Sequence, residues 1–182
     1  MVYIILGQGF EEIEAVAPGD ILRRGGVKVC YAAVGSALAV PGSTGIPVTA
    51  DTLVRDIRPT AGDTIVIPGG MGGVDAIKHD ETAMAMIARA AKDGAELAAI
   101  CAGPSVLAKL GLLDGRNITC YPGCEKLMGR ALCHCEKATE QDGTLITGRA
   151  PGAALDFGYA LLAHLRGTRT ADEVRESMHY RV

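Results

Sequence analysis

The sequence contains no tryptophan and only two phenylalanines, and it has no long hydrophobic run. No stretch approaches the ~20 apolar residues that a membrane-spanning helix requires. The apolar run of residues 1–7 is too short for the core of a signal peptide, and no basic region precedes it. We therefore predict a soluble, cytoplasmic protein that has no membrane partner.

Positive charge is also scarce, because 18 lysines and arginines stand against 21 aspartates and glutamates, for a net charge of −3. No basic stripe with interleaved aromatic residues appears, so a nucleic-acid partner is not expected. Gly7-Gln8-Gly9 resembles the start of a dinucleotide fingerprint, but Glu12 occupies the third glycine position, where its charge would repel a pyrophosphate. The sequence therefore predicts no nucleotide cofactor.

Glycine and small aliphatic residues are abundant, with 24 glycines and 48% hydrophobic residues. Short apolar runs alternate with segments of helical spacing, which predicts one α/β domain over residues 1–182, with a mostly parallel sheet and helices on both faces. The predicted strands cover residues 2–6, 27–34, 63–67, 96–100, 117–121 and 144–147, with a hairpin in 38–50 and an extended segment over 132–139. The predicted helices cover residues 11–24, 82–92, 104–110, 153–166 and 170–179.

Cys101 stands out among the six cysteines. It follows the predicted strand over residues 96–100, and small residues lead from it to Pro104, which suits the first turn of a helix. The free N–H groups and the dipole of that helix start are expected to lower the thiol pKa and favour a nucleophilic, easily oxidised thiolate. An inert buried thiol is the alternative, and it describes Cys30 well, but the turn favours a functional role for Cys101.

A second strand end carries the glycine turn Pro68-Gly69-Gly70. Ligands of parallel α/β sheets bind outside the carboxyl ends of the strands, where this turn and Cys101 both lie. The backbone N–H groups of Gly70 and Ala102 are candidate donors to a developing oxyanion. Taken alone, the glycine turn is better explained as a plain turn.

Four further cysteines lie close together in sequence, with a histidine between the last two. Their CxxxC and CxC spacings are not the usual pairs of a zinc site, and in a strand His134 would point away from the neighbouring thiols. The sequence therefore favours unpaired thiols and no metal, although zinc binding stays open. The residues are Cys120, Cys124, Cys133 and Cys135.

Four segments, in order along essentially the whole chain, resemble the ThiJ/PfpI superfamily in its DJ-one-like branch. They are an acidic helix start, a glycine turn, a nucleophile segment and a late arginine-glycine turn. In this sequence they read Glu11-Glu12-Ile13-Glu14, Val66-Ile67-Pro68-Gly69-Gly70, Ala99-Ile100-Cys101-Ala102-Gly103-Pro104 and Thr147-Gly148-Arg149-Ala150-Pro151-Gly152.

The resemblance implies a flavodoxin-like three-layer sandwich and a homodimer. It also implies that a protonated Glu14 faces Cys101 and donates a hydrogen bond to its thiolate; spacing alone does not choose among the three glutamates of the acidic start. Gly69 and Arg149 become candidate lining residues. Many relatives carry a histidine where this chain has Tyr121, which is a further candidate for lining the site. A Cys-His dyad and peptidase chemistry are therefore not expected.

The resulting hypothesis is a glyoxalase or deglycase-type enzyme that acts on methylglyoxal, glyoxal or their adducts, without a metal or organic cofactor. Cys101 would add to the aldehyde, Glu14 would move the proton, and the N–H groups of Gly70 and Ala102 would hold the oxygen. The alternative is a redox sensor or chaperone-like stress protein, in which Cys101 is oxidised to a sulfinate with little turnover.

Overall fold

A computed structural model of the chain describes residues 1–180. Its strands are β1 Val2–Leu6, β2 Val29–Ala33, β3 Ala39–Pro41, β4 Pro47–Thr49, β5 Thr52–Leu53, β6 Thr64–Ile67, β7 Glu96–Ile100, β8 Asn117–Ile118, β9 Leu132–Cys133, β10 Thr139–Asp142 and β11 Leu145–Gly148. Its helices are α1 Glu12–Arg24, α2 Met71–His79, α3 Glu81–Lys92, α4 Pro104–Lys109, α5 Ala154–Arg166 and α6 Thr168–Ser177. Single 3₁₀ turns span Val54–Asp56, Glu125–Leu127 and Pro151–Ala153.

The central sheet has the strand order β10-β11-β7-β6-β1-β2-β5, and all of its pairings are parallel except that of β10 with β11. All four residues of β6 are buried. Successive side chains of a strand point to opposite faces, so both faces of the sheet are covered. The predicted flavodoxin-like α/β class is confirmed. Among the helices of the described residues, none has the length and apolar character needed to cross a membrane.

The sheet register positions the site. β6 lies between β1 and β7, with Ile67 opposite Ala99, so these strands end at one edge. The glycine turn after β6 therefore lies beside the turn after β7, where Cys101 sits. The start of α1, which follows β1, reaches the same edge, because the N–H of Glu11 donates to the carbonyl of Gly69 at 3.0 Å.

The sequence gives no indication of α2, whose first turn contains Gly72 and Gly73 and therefore has low helix propensity. Close packing explains the glycines, because a Cβ on Gly73 would lie 2.7 Å from the Cα of Phe10. The extended segment predicted over residues 132–139 is wrong beyond β9, since turns follow and β10 begins at Thr139. Tertiary packing determines the structure of both segments, and the local sequence pattern carries no information about that packing.

Candidate active site

Cys101 sits immediately after β7 on a sharp turn. Its φ is +64°, in the left-handed region that non-glycine residues rarely adopt. Two backbone hydrogen bonds hold it there: its N–H donates to the Gly148 carbonyl at 2.9 Å, and its carbonyl accepts from the N–H of Tyr121 at 3.0 Å. Such a conformation costs about 1–3 kcal/mol and persists only where its surroundings impose it. The turn leaves the side chain 8% exposed at the edge of the sheet.

Glu14, in the first turn of α1, is fully buried. Its Oε2 accepts a hydrogen bond from the N–H of Gly69 at 2.7 Å, and the carboxyl also contacts the Cys101 thiol. The other oxygen, Oε1, is buried with no N–H or O–H donor among the described residues. Burial raises the pKa of this carboxyl to about 7, although its contacts with Cys101 and Gly69 oppose the rise.

The neighbouring glutamates serve a different purpose. Glu12 accepts hydrogen bonds from the Thr44 N–H at 2.9 Å and the Thr44 hydroxyl at 2.7 Å, and Glu11 accepts one from the Ser43 hydroxyl at 2.9 Å. Burial works to raise the pKa of Glu12, but these hydrogen bonds hold it at about 2. These two carboxylates therefore fasten the β3–β4 hairpin to α1, and Glu14 alone of the three turns to Cys101.

The backbone N–H groups of Ala102 and Gly70 lie near the Cys101 sulfur, and each acts to lower the pKa of the thiol. Burial outweighs them, and the charge of the adjacent Glu14 carboxylate adds to its effect, so the thiol pKa lies above its ordinary value. The expectation of a lowered thiol pKa is therefore wrong while Glu14 is ionised. A helix start of six residues does not overcome a buried carboxylate beside the sulfur. The charge of Glu14 therefore decides how readily the thiol ionises.

Gly69 lies directly against both the Glu14 carboxyl and Cys101. A Cβ on Gly69 would lie 2.6 Å from Glu14 Oε2, 2.8 Å from the Cβ of Cys101 and 3.1 Å from the N of Ala102. Only glycine fits there without moving the carboxyl away from the thiol.

We expect Gly69→Ala to destabilise the fold by about 1–3 kcal/mol, because an added methyl overpacks this contact. We also expect it to alter the rate at which Cys101 is alkylated. Urea unfolding and alkylation kinetics measure the two effects. Gly152→Ala is the matched control, since a Cβ on Gly152 meets no atom within 4 Å. Equal behaviour of the two variants would contradict the assigned role of Gly69.

The other two candidate lining residues are placed differently. Tyr121 is 46% exposed, and it contacts Cys101 through its backbone N–H. The guanidinium of Arg149 donates to the carbonyl of Glu136 at 3.3 Å, while its own backbone follows the Gly148 carbonyl that holds Cys101. Both residues therefore support the turn that carries Cys101, either through backbone contacts or from the rim of the site.

The histidines are engaged elsewhere. The rings of His79, His134 and His164 contact the Asp75 carbonyl, Asn117 and Glu96, and His179 is exposed near the end of the described chain. Within residues 1–180, no group of three or more histidine, cysteine or acidic side chains is arranged to hold a metal ion. Among the described residues, Glu14 is the titratable side chain that acts on the Cys101 thiol.

Comparison with known proteins follows this geometry. A model of the DJ-1/PfpI family matches residues 1–164. The chain is 38% identical over 175 residues to Protein DJ-1 homolog A of Arabidopsis thaliana, with 95% of this chain and 45% of that protein covered. It is 31% identical over 158 residues to a Caenorhabditis elegans protein named glutathione-independent glyoxalase DJR-1.2, with 86% and 83% covered.

A crystal structure of a DJ-1 superfamily protein from Salmonella typhimurium superposes with a TM-score of 0.93 at 31% identity. The superposition covers 100% of this chain and 98% of that one. The chain therefore matches the solved relative over its full length, whereas it spans less than half of the Arabidopsis relative.

Proposed function

The chain belongs to the DJ-1/PfpI family, and on that premise we propose that it converts small reactive carbonyl compounds, such as methylglyoxal and glyoxal, by cysteine-dependent glyoxalase or deglycase chemistry. The observation that carries the proposal is the fully buried Glu14 carboxyl in contact with the Cys101 thiol. A relative that is 31% identical is named as a glyoxalase, which supports the same chemistry. A thiol that is 8% exposed also suits a small substrate better than a bulky one.

The reactive form in this proposal is a thiolate on Cys101 beside a protonated Glu14. Two backbone N–H groups, from Gly70 and Ala102, act to lower the pKa of the Cys101 thiol, whereas the Glu14 carboxyl accepts one hydrogen bond, from the N–H of Gly69. Cys101 is also the less completely buried residue of the pair, at 8% exposed against 0% for Glu14. The sulfur is therefore the better solvated site for the negative charge, and the acid donates a further, charge-assisted hydrogen bond to it.

The first step is addition of the Cys101 thiolate to the aldehyde carbon, which gives a hemithioacetal. The negative charge then moves from the sulfur to the former carbonyl oxygen, one atom beyond the new bond. The N–H groups of Gly70 and Ala102 lie at the sulfur and are positioned to stabilise this oxygen as well. Glu14 supplies the proton that the oxygen takes up.

Having given up its proton, the Glu14 carboxylate then acts as a base. It removes a proton from the former aldehyde carbon, which gives an enediol, and returns this proton to the neighbouring carbon. The remaining proton of the first hydroxyl passes to the second oxygen, which leaves a thioester of lactate. Water hydrolyses the thioester and restores the Cys101 thiol. The sum is methylglyoxal plus water giving lactate, with one carbon oxidised and its neighbour reduced, so the proposed reaction needs no metal or organic cofactor.

The direct test is lactate formation from methylglyoxal by the purified chain without glutathione. We expect lactate to form in proportion to enzyme concentration, and alkylation of Cys101 to stop it. The tryptic peptide of residues 93–109 contains Cys101 as its single cysteine, so mass spectrometry shows when that thiol is blocked. Turnover that persists after complete alkylation of this peptide would overturn the proposal.

The same site supports a second candidate, a redox sensor or chaperone-like stress protein. A protonated Glu14 would donate to an oxygen of a Cys101 sulfinate as readily as to a thiolate, because Oε1 lacks another donor or acceptor. Mild peroxide treatment discriminates the two. A selective gain of two oxygens on the peptide of residues 93–109, in a protein that makes no lactate, would favour the sensor. The homodimer implied by the family resemblance stays a prediction.

A further inference from the structure

A pair of thiols outside the Cys101 site lies within contact distance. Cys120 follows β8 and Cys135 follows β9, two strands that pair in parallel with Ile118 opposite Cys133. The strands therefore deliver both cysteines to the same end of the small sheet. The two Sγ atoms are 3.6 Å apart, and both cysteines are in the thiol form.

The backbone on both sides of the pair is fixed. The N–H of His134 donates to the Ile118 carbonyl at 2.8 Å, and the N–H of Thr119 donates to the Thr147 hydroxyl at 2.8 Å. The backbone that carries the two cysteines is therefore held in place by the fold. A disulfide has an S–S bond of about 2.0 Å, so the pair needs only a small side-chain rotation to close.

We propose that Cys120 and Cys135 are a reversible redox pair, which forms a disulfide when the protein meets a hydroperoxide. In the first step the thiol of Cys135 is oxidised to a sulfenic acid, and the peroxide is reduced to water or an alcohol. In the second step the sulfur of Cys120 attacks the Cys135 sulfur, the S–O bond breaks and water leaves. The two thiols give up two electrons and two protons in total, and a dithiol reductant reverses the reaction.

The order of the steps follows from accessibility. Cys135 is half-buried and open to a small oxidant, whereas Cys120 is fully buried. Burial also raises the pKa of Cys120, and its contact with Cys135 adds to the rise, so Cys120 stays protonated until its partner is oxidised. Cys133 also contacts Cys120, but the Sγ–Sγ contact of 3.6 Å joins Cys120 to Cys135.

The test uses the full chain, hydrogen peroxide, alkylation of the remaining thiols and trypsin without reduction. Cleavage after Arg116, Lys126, Arg130 and Lys137 places Cys120 in the peptide of residues 117–126 and Cys135 in that of residues 131–137. We expect these two peptides to appear joined, two hydrogens lighter than their sum, and to separate with dithiothreitol. The inference does not rest on carbonyl turnover, since the same product is expected in Cys101→Ser.

Three serine variants identify which sulfur atoms form the disulfide. Cys135→Ser is expected to lose the joined peptides, whereas Cys124→Ser and Cys133→Ser are expected to keep them. Cys135 is half-buried, so serine is tolerated there more readily than at Cys120. Joined peptides that persist in Cys135→Ser would overturn the proposal. So would a wild-type protein in which peroxide oxidises Cys101 while Cys120 and Cys135 both remain free for alkylation after unfolding.

Discussion

Replacing Cys101 with serine is expected to lower the rate of lactate formation from methylglyoxal by about 10³-fold or more. An alcohol is far less acidic than a thiol, and the described residues offer no histidine in contact with residue 101 to activate it. Serine is close to cysteine in size, so the fold and the turn after β7 should survive. The loss therefore measures the chemistry of the sulfur.

Cys30→Ser is the matched control for this variant. Cys30 lies in β2, away from the carboxyl ends of β6 and β7, and its thiol makes only a long contact of 3.9 Å to the Tyr31 carbonyl. Its activity is expected to stay close to that of the wild-type chain. Initial rates of lactate formation, with urea unfolding to confirm equal stability, provide the measurement. A Cys101→Ser rate within tenfold of wild type would remove Cys101 from the mechanism.

Replacing Glu14 with glutamine is expected to lower the same rate by about 10²–10⁴-fold, the usual contribution of a general acid and base. The amide keeps the shape of the carboxyl and can still accept the hydrogen bond from the Gly69 N–H. It cannot give up or take a proton, so the transfer between the two substrate carbons loses its carrier. Glu11→Gln is the control, because Glu11 contacts Ser43 and not Cys101.

The Glu14→Gln variant is also expected to change how stability depends on pH. Burial raises the pKa of Glu14 from 4.5 to about 7 in the folded state, so the folded chain holds this proton more tightly than the unfolded chain. Its contribution to stability is therefore complete below pH 4.5 and is lost as the pH rises through about 7. Urea unfolding at several pH values should show this decline in the wild type and a smaller one in Glu14→Gln. An unchanged decline would mean that another group titrates.

Sequence alone locates Cys101 because its signal is local. The β7 bounds of Glu96–Ile100 match the prediction, and a strand followed by small residues and a proline has few other structures open to it. The choice of Glu14 among three glutamates is not local. It depends on how α1 packs: the Glu14 side chain lies against the turn at Gly69, which is 55 residues away in sequence.

The direction of the thiol pKa shift is a second property that the sequence alone does not determine. The helix start after Cys101 is visible in the sequence and favours a lowered thiol pKa, but burial and the charge of Glu14 decide the direction of the shift. Both arise from tertiary contacts. The Cys120–Cys135 pair likewise depends on β8 pairing with β9. The sequence predicts extended chain at both strands, but not that the two pair with each other.

The most direct test of the account is the pH dependence of Cys101 alkylation, measured on the peptide of residues 93–109, in the wild-type chain and in Glu14→Gln. If Glu14 holds the proton beside a thiolate, the wild-type midpoint lies below the ordinary thiol value of about 8.5. The glutamine variant then shifts it upward, because an amide N–H stabilises the thiolate less than an acid O–H. If Glu14 instead holds the negative charge, the wild-type midpoint lies above the ordinary thiol value of about 8.5. Glutamine then shifts it downward, and that result would contradict the account.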